Sequence, residues 1–92
     1  MSFFISEKDT EAYLALETRK LPMPDGTMQP LTGFKLMWRS VDYLILTAGY
    51  SRKQLVQLAL INTKETGHSF EESFNNVIAY IHREIRKQQG ID

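Results

Sequence analysis

The sequence predicts a small, mainly α-helical domain in which a short N-terminal strand or extended segment precedes three helices. Three observations support this fold class. Apolar residues recur at three- and four-residue steps in three separate stretches after residue 33. Helix stop and start signals separate these stretches at Gly49–Ser51 and at Gly67–Ser69. The chain has 92 residues, the size of one domain, and its 42% hydrophobic content is ample for a core.

The first 26 residues are predicted to form an N-terminal extension. Ser6 can cap a helix, and residues 7–21 carry acids early and Arg19 and Lys20 late, which suits a helix dipole. A helix up to about residue 21 is therefore expected. The alternative is a strand, because Leu14 and Leu16 alternate with polar or small neighbours. The run "PMPDG" at 22–26 then marks a turn or linker, so the boundary is placed between residues 1–26 and a domain of residues 27–92.

The 27–92 domain is expected to begin with an extended segment and to continue with three helices. Residues 27–33 are uncharged, and Pro30 restricts them to an edge strand or an irregular extended piece. Ser51 with Gln54, and later Ser69 with Glu72, form the capping boxes that open the second and third helices. The predicted apolar stripes are Phe34, Met37, Trp38, Val41, Leu44, Ile45 and Ala48 in the first helix, Leu55, Leu58, Ala59 and Asn62, widened by Val56 and Leu60, in the second, and Phe70, Phe74, Val77, Ile78, Ile81 and Ile85 in the third.

The composition argues against an enzyme, a metalloprotein and a membrane protein. No cysteine is present, which excludes disulfides, thiol catalysis and cysteine metal sites. The five glycines are scattered and form no phosphate-binding loop, and His68 and His82 stand in no metal-ligand spacing. No apolar run is long enough for a bilayer or a secretory signal. We therefore expect a cytoplasmic protein without a cofactor and without membrane contact.

The charge of the chain is balanced, with eleven Lys and Arg against eleven Asp and Glu. Residues 1–26 carry three basic and five acidic side chains, and residues 27–92 carry eight basic and six acidic ones. A strongly basic domain would have indicated nucleic acid as the partner, and this domain is only slightly basic.

A corner between two apolar helices, "LILTAGYSRKQLVQLAL" at residues 44–60, carries the most specific pattern. A helix-turn-helix matches it weakly, because Ile45 occupies a position where that motif needs a small residue. From about residue 27 to 85 the chain resembles the ribbon-helix-helix family, in particular its bacterial branch with an extra C-terminal helix. The likeness rests on Met37, Trp38, Leu44 and Ile45 before the corner, Gly49, Ser51, Leu55 and Val56 around it, and "SFEESFNNVIAYI" as the third helix.

This resemblance implies a homodimer that binds DNA and regulates transcription. Two copies would pair their strands into an antiparallel ribbon that lies in the major groove. Thr27 and Gln29 would lie on one strand face, with the Gln29 amide reading adenine. Ser51, Arg52 and Lys53 would hold a phosphate at the start of the second helix.

The rival hypothesis is a protein–protein interaction module that has lost DNA binding. The neutral charge and the proline within the ribbon favour it. Trp38 is expected in the core, with a dimer interface as its alternative location.

Overall fold

The computed structural model describes residues 14–90, in which a two-stranded hairpin precedes three helices. The predicted fold class, a mainly α-helical chain with a strand before three helices, is confirmed, whereas the dimer remains a prediction. Among the described residues, no helix combines the length and the apolar character that a membrane crossing requires. The elements are β1 (Leu16–Pro22), β2 (Met28–Phe34), α1 (Lys35–Leu46), α2 (Arg52–Thr66) and α3 (Phe70–Gln88).

The helix expected up to about residue 21 is wrong for Leu16–Pro22, which is a β-strand. β1 pairs with β2 along its whole length in antiparallel register. The strand alternative is therefore correct for this segment, although Leu16, which suggested it, lies on the exposed face and the buried residue of β1 is Leu21 on the opposite face. The boundary predicted between residues 26 and 27 falls within the loop of this hairpin. The predicted cap at Ser6 lies outside the described residues.

A short turn, built by the predicted breaker sequence, joins the two strands. Met23 N–H donates to the Thr27 carbonyl at 2.8 Å, and Gly26 N–H donates to the Met23 carbonyl at 3.0 Å. Gly26 has φ +87°, a left-handed conformation that is strained for other residues. These features are typical of a hairpin loop with a type I turn followed by a glycine bulge.

The prolines of the hairpin occupy ladder positions that need no donor towards the neighbouring strand. Met23 and Thr27 form a hydrogen-bonded pair, and such pairs alternate with non-bonded pairs along an antiparallel ladder. Pro22 and Pro30, which faces Lys20 in the register, therefore fall in non-bonded pairs. Pro30 thus removes no hydrogen bond inside the hairpin, but the free edge of β2 lacks a donor at this position.

The core lies between the inner face of the hairpin and the three helices. Its buried members are Leu21, Leu31, Trp38, Val41, Leu44, Leu55, Val56, Ala59, Phe74, Ile78 and Ile81. Three residues of the predicted apolar stripes lie outside this core: Ala48 is exposed, and the side chains of Phe34 and Leu58 are 50% and 38% exposed. Phe34 is exposed because it ends β2 on the outer face of the hairpin and precedes the first residue of α1. Leu58 lines an open surface depression between α2 and α3 together with Tyr80.

Trp38 is a core residue, as expected, and its polar group is satisfied within the chain. Its side chain is buried, and its indole N–H donates to the Glu17 carbonyl of β1 at 2.8 Å. Its ring packs against Phe74 of α3 with centroids 6.0 Å apart. Burial of Trp38 therefore requires no second copy of the chain.

Candidate nucleic-acid interface

The tip of the hairpin and the start of α2 form one surface. α2 packs against β1, with Leu55 and Val56 in the shared core. This packing brings Thr27, at the hairpin tip, and Lys53, in the first turn of α2, to the same hollow of about 440 Å³. The hollow is also lined by Pro22, Met23, Pro24, Gly26, Met28, Val56 and Gln57. Two of the segments predicted to contact DNA are therefore neighbours in space.

Ser51 caps α2 through the predicted capping box. The Ser51 hydroxyl accepts from Gln54 N–H at 3.1 Å, and the Gln54 side-chain oxygen accepts from Ser51 N–H at 2.8 Å. The cap fixes where the helix begins, while the N–H groups of Arg52 and Lys53 find no acceptor within residues 14–90. A helix start with free N–H groups carries a partial positive charge and favours an anion.

The side chains of Arg52 and Lys53 are exposed, and neither forms an ion pair with another described residue. No acidic residue occupies the first turn of α2 to balance them. Two cations at a helix start oppose the helix dipole. This arrangement is electrostatically unfavourable in the isolated chain and becomes favourable when an anion binds between the cations and the free N–H groups.

Thr27 is held by its neighbour in the turn. Its backbone N–H and its hydroxyl donate to the Asp25 carboxylate at 3.0 and 2.6 Å. These two hydrogen bonds lower the pKa of Asp25 below its usual value. The Thr27 hydroxyl proton is thus engaged, and the tip carries one negative charge, which limits how closely a phosphate approaches this end of the surface.

Gln29 lies on the face of β2 that also carries Leu31, although its own side chain is exposed near the tip. Leu31 is buried, while Met28, Pro30 and Thr32 lie on the opposite face of β2 and are exposed. Met28, Pro30 and Thr32 share the outer face of the hairpin with the even-numbered residues of β1. Its polar side chains are Lys20 and the pair Thr18 and Thr32, whose hydroxyl oxygens lie 2.7 Å apart.

A charged cluster on the inner side of β1 was not anticipated from the sequence. Arg19 donates to both carboxylate oxygens of Asp42 in α1, at 2.7 and 3.3 Å, and also contacts the Glu17 carboxylate. Its guanidinium lies 5.1 Å from the Trp38 ring centroid. The hydrogen bonds to Asp42 are the main reason that the pKa of Arg19 is raised, against the opposing effect of burial. The Arg19 guanidinium is therefore engaged by contacts within the chain that stabilise the fold.

Assigning residues 16–22 to a strand would have predicted the contact between Glu17 and Arg19. Glu17 and Arg19 are two residues apart, so in a strand they share one face. In the expected helix they would not face each other. The partner Asp42 comes from a distant element, and no local pattern indicates it.

No metal site is formed by the described residues, since no three His, Asp or Glu side chains come together there. His82 packs edge-on against Tyr43, with ring centroids 5.6 Å apart. Ser73, which is buried, forms a hydrogen bond with the Thr63 hydroxyl at 2.8 Å. Contacts within the chain therefore explain the positions of His82 and Ser73.

No family model, no curated protein and no solved structure matches the chain. The fold of a hairpin and three helices therefore rests on the structure itself, and the likeness to the ribbon-helix-helix family remains a hypothesis.

Proposed function

We propose that the chain is a small DNA-binding protein, a ribbon-helix-helix-like regulator that binds a phosphate at the start of α2 and lays its hairpin in the adjoining major groove. The observation that supports this proposal is the shared surface at one end of the molecule. Because Thr27 and Lys53 line the same hollow, the ribbon tip and the α2 start can reach one duplex together. A phosphate at a helix start and a ribbon in the groove are established ways of binding DNA.

One chain supplies both strands of the ribbon in this proposal. The major groove admits a two-stranded antiparallel ribbon, and β1 with β2 is such a ribbon. Lys20 is suited to guanine, and Thr18 and Thr32 are suited to several base edges. Gln29, which lies on the opposite face of β2, is not part of this base-reading surface. A homodimer would place two such surfaces on a two-fold symmetric site, as expected of a transcriptional regulator.

The proposed surface carries a modest positive charge. Lys20, Arg52 and Lys53 are the cations near it that form no ion pair among the described residues, while Asp25 adds one negative charge. Neutralising about three phosphates would give a slope of roughly −3 for the logarithm of affinity against the logarithm of salt concentration. Binding is therefore expected to be measurable at low salt and weak at high salt.

The test has two parts. Fragmented genomic DNA is captured with the full chain at two salt concentrations and sequenced, and enrichment of a few two-fold symmetric sites is expected at the lower one. Binding of an enriched site is then measured with Arg52→Ala/Lys53→Ala, which should flatten the salt slope by about two.

The matched control is Lys35→Ala/Lys64→Ala. It removes the same charge from exposed side chains at the hairpin base and at the far end of α2. Its salt slope should stay close to that of the unmodified chain. Equal slopes for both double variants would reject the proposed phosphate site.

A protein–protein interaction module is the second candidate, and the outer face of the hairpin favours it. Leu16, Met28 and Phe34 on this face are 65%, 52% and 50% exposed, which is unusual for a surface that meets only bases and phosphates. A photo-crosslinking residue in place of Thr32 separates the two candidates in cell extracts. DNA adducts would support the first candidate, and protein adducts without DNA adducts would support the second.

A further inference from the structure

A second surface feature, distant from the hairpin tip, is a groove of about 500 Å³ beside α3. Its walls come from the hairpin base, the start of α1 and one side of α3. The side chains of Leu14, Phe34 and Leu36 line it and are 54%, 50% and 54% exposed. Three large apolar side chains around one groove form a contiguous patch of the kind that usually receives another surface.

One part of this groove is basic. His82, Arg83 and Arg86 of α3 line it, and neither arginine forms an ion pair with another described residue. No acidic side chain lines the groove among residues 14–90. An occupant with both apolar and acidic side chains would therefore complement it.

We propose that residues 1–13 of the same chain occupy this groove. The segment contains Phe3, Phe4 and Ile5 to cover the apolar walls, and Glu7, Asp9 and Glu11 against one lysine to complement the arginines. It enters the groove directly, because Leu14, the residue that follows it, is one of the lining residues. The next carbonyl, that of Ala15, accepts from Lys35 N–H at 2.9 Å, which fixes the point of entry.

The tether favours the chain's own segment over any separate partner. Thirteen residues reach at most about 43–47 Å when fully extended, so the segment stays near the groove. A short covalent linker gives an effective concentration in the millimolar range. A second copy at micromolar concentration would need a far higher intrinsic affinity to displace it. The proposal is independent of DNA binding, since the groove adjoins the hairpin base rather than its tip.

The absence of cysteine allows a direct test in the 92-residue chain. Ser2→Cys provides one attachment site for a nitroxide spin label, whose paramagnetic effect broadens nearby amide signals in ¹⁵N-labelled protein. We expect strong broadening for Asn75, Ala79 and Arg83, which line the groove, and little for Gln57 and Lys64 of α2, which do not. Similar broadening of all five amides would overturn the proposal.

Two variants of the labelled chain test the chemistry. Phe3→Ser/Phe4→Ser/Ile5→Ser removes the apolar side chains of the segment, and Arg83→Glu/Arg86→Glu reverses the charge of the groove. Each should reduce the selective broadening of Asn75 and Ala79 at least threefold, while signals of the core remain in place. Unchanged broadening in both variants would reject the proposed contacts.

A mixed sample distinguishes the chain's own segment from that of a second copy. ¹⁵N-labelled chain without a spin label is combined with an equal amount of unlabelled chain that carries the nitroxide. No groove broadening is expected, because each segment stays with its own groove. Loss of up to about half of the groove signal in this sample, because half of the available segments carry the nitroxide, would assign the groove to a second copy and overturn the proposal. The experiment contains no DNA, so its outcome is separate from that of the proposed function.

Discussion

Leu44 and Leu46 show how strongly the contribution of one residue type depends on its position. They are two residues apart in α1, but Leu44 is fully buried and Leu46 is 83% exposed. Leu44→Ala is expected to lower the free energy of unfolding by about 2–5 kcal/mol, because it leaves a cavity in the core. Leu46→Ala should change it by less than about 0.5 kcal/mol. Urea unfolding of both variants measures the difference, and a comparable loss for Leu46→Ala would mean that this side chain is covered in solution.

Asp25 is the residue for which the structure predicts a pH dependence. Its pKa is lowered in the folded chain by the hydrogen bonds from Thr27, so its contribution to stability is present above its ordinary pKa of about 3.9. That contribution is lost as the pH falls through the lower, folded pKa. Asp25→Asn keeps an acceptor for the turn but cannot ionise. The unmodified chain should therefore be more stable than the variant at pH 7.

Urea titrations of both chains between pH 7 and pH 2 provide the measurement. The difference between their free energies of unfolding should shrink on acidification, since the other carboxyl groups are common to both. A difference that grows towards low pH would contradict the direction of the Asp25 pKa shift.

The helix boundaries could be predicted from the sequence because their signals are local. Ser51 and Gln54 are three residues apart and bond to each other's backbone, and Gly67 ends α2 with φ +77°. The local signals for β1 are ambiguous, because the alternation of Leu14 and Leu16 indicates a strand while the charge pattern indicates a helix. The residues of β1 suit a helix by composition, and they form a strand because β2 supplies hydrogen-bond partners and the helices cover Leu21. Tertiary pairing overrides local preference there.

Pro30 leaves the free edge of β2 without one backbone donor, and a single substitution can test the consequence for self-association. Its ring nitrogen faces the free edge of β2, so this edge lacks a donor for pairing with another strand. Pro30→Thr restores the donor without disturbing the hairpin. A symmetric pair of β2 edges would gain two hydrogen bonds of about 1 kcal/mol each, and self-association should tighten tenfold or more.

Sedimentation equilibrium over a range of concentrations measures this change. Thr32→Val, on the same face of β2, serves as the control because it raises strand propensity and leaves every backbone donor in place. Equal tightening in the control would attribute the effect to the side chain and not to the restored N–H group.

The candidate interface could be predicted only in part, because its arrangement depends on the whole molecule. The capping box located Ser51, Arg52 and Lys53 at a helix start, and this follows from local sequence. The proximity of Thr27 to Lys53 follows from the packing of α2 on β1, a contact between distant elements that no local sequence pattern indicates. The hydrogen bond from Arg19 to Asp42 likewise depends on the packing of distant elements. Contacts between distant elements determine which cations remain available.

The apolar surface of α1 is largely covered within one chain. Trp38, Val41 and Leu44 are buried against the hairpin and the other helices, so Leu36 and Leu46 are the large apolar side chains of α1 that stay exposed. Both strands of the ribbon also come from the same chain. We therefore expect each chain to fold without a partner, and any homodimer to assemble from folded chains.

Unfolding at different protein concentrations tests this expectation. The urea midpoint should be the same at 1 and 100 μM for a chain that folds alone. An obligate dimer would instead gain about 2.7 kcal/mol from a hundredfold rise in concentration, because its unfolding releases two chains. A variant with both Leu36→Ser and Leu46→Ser serves as the control, since it removes the apolar side chains through which α1 could meet a second copy. A midpoint that rises with concentration in the unmodified chain but not in this variant would show that folding depends on a dimer formed through α1.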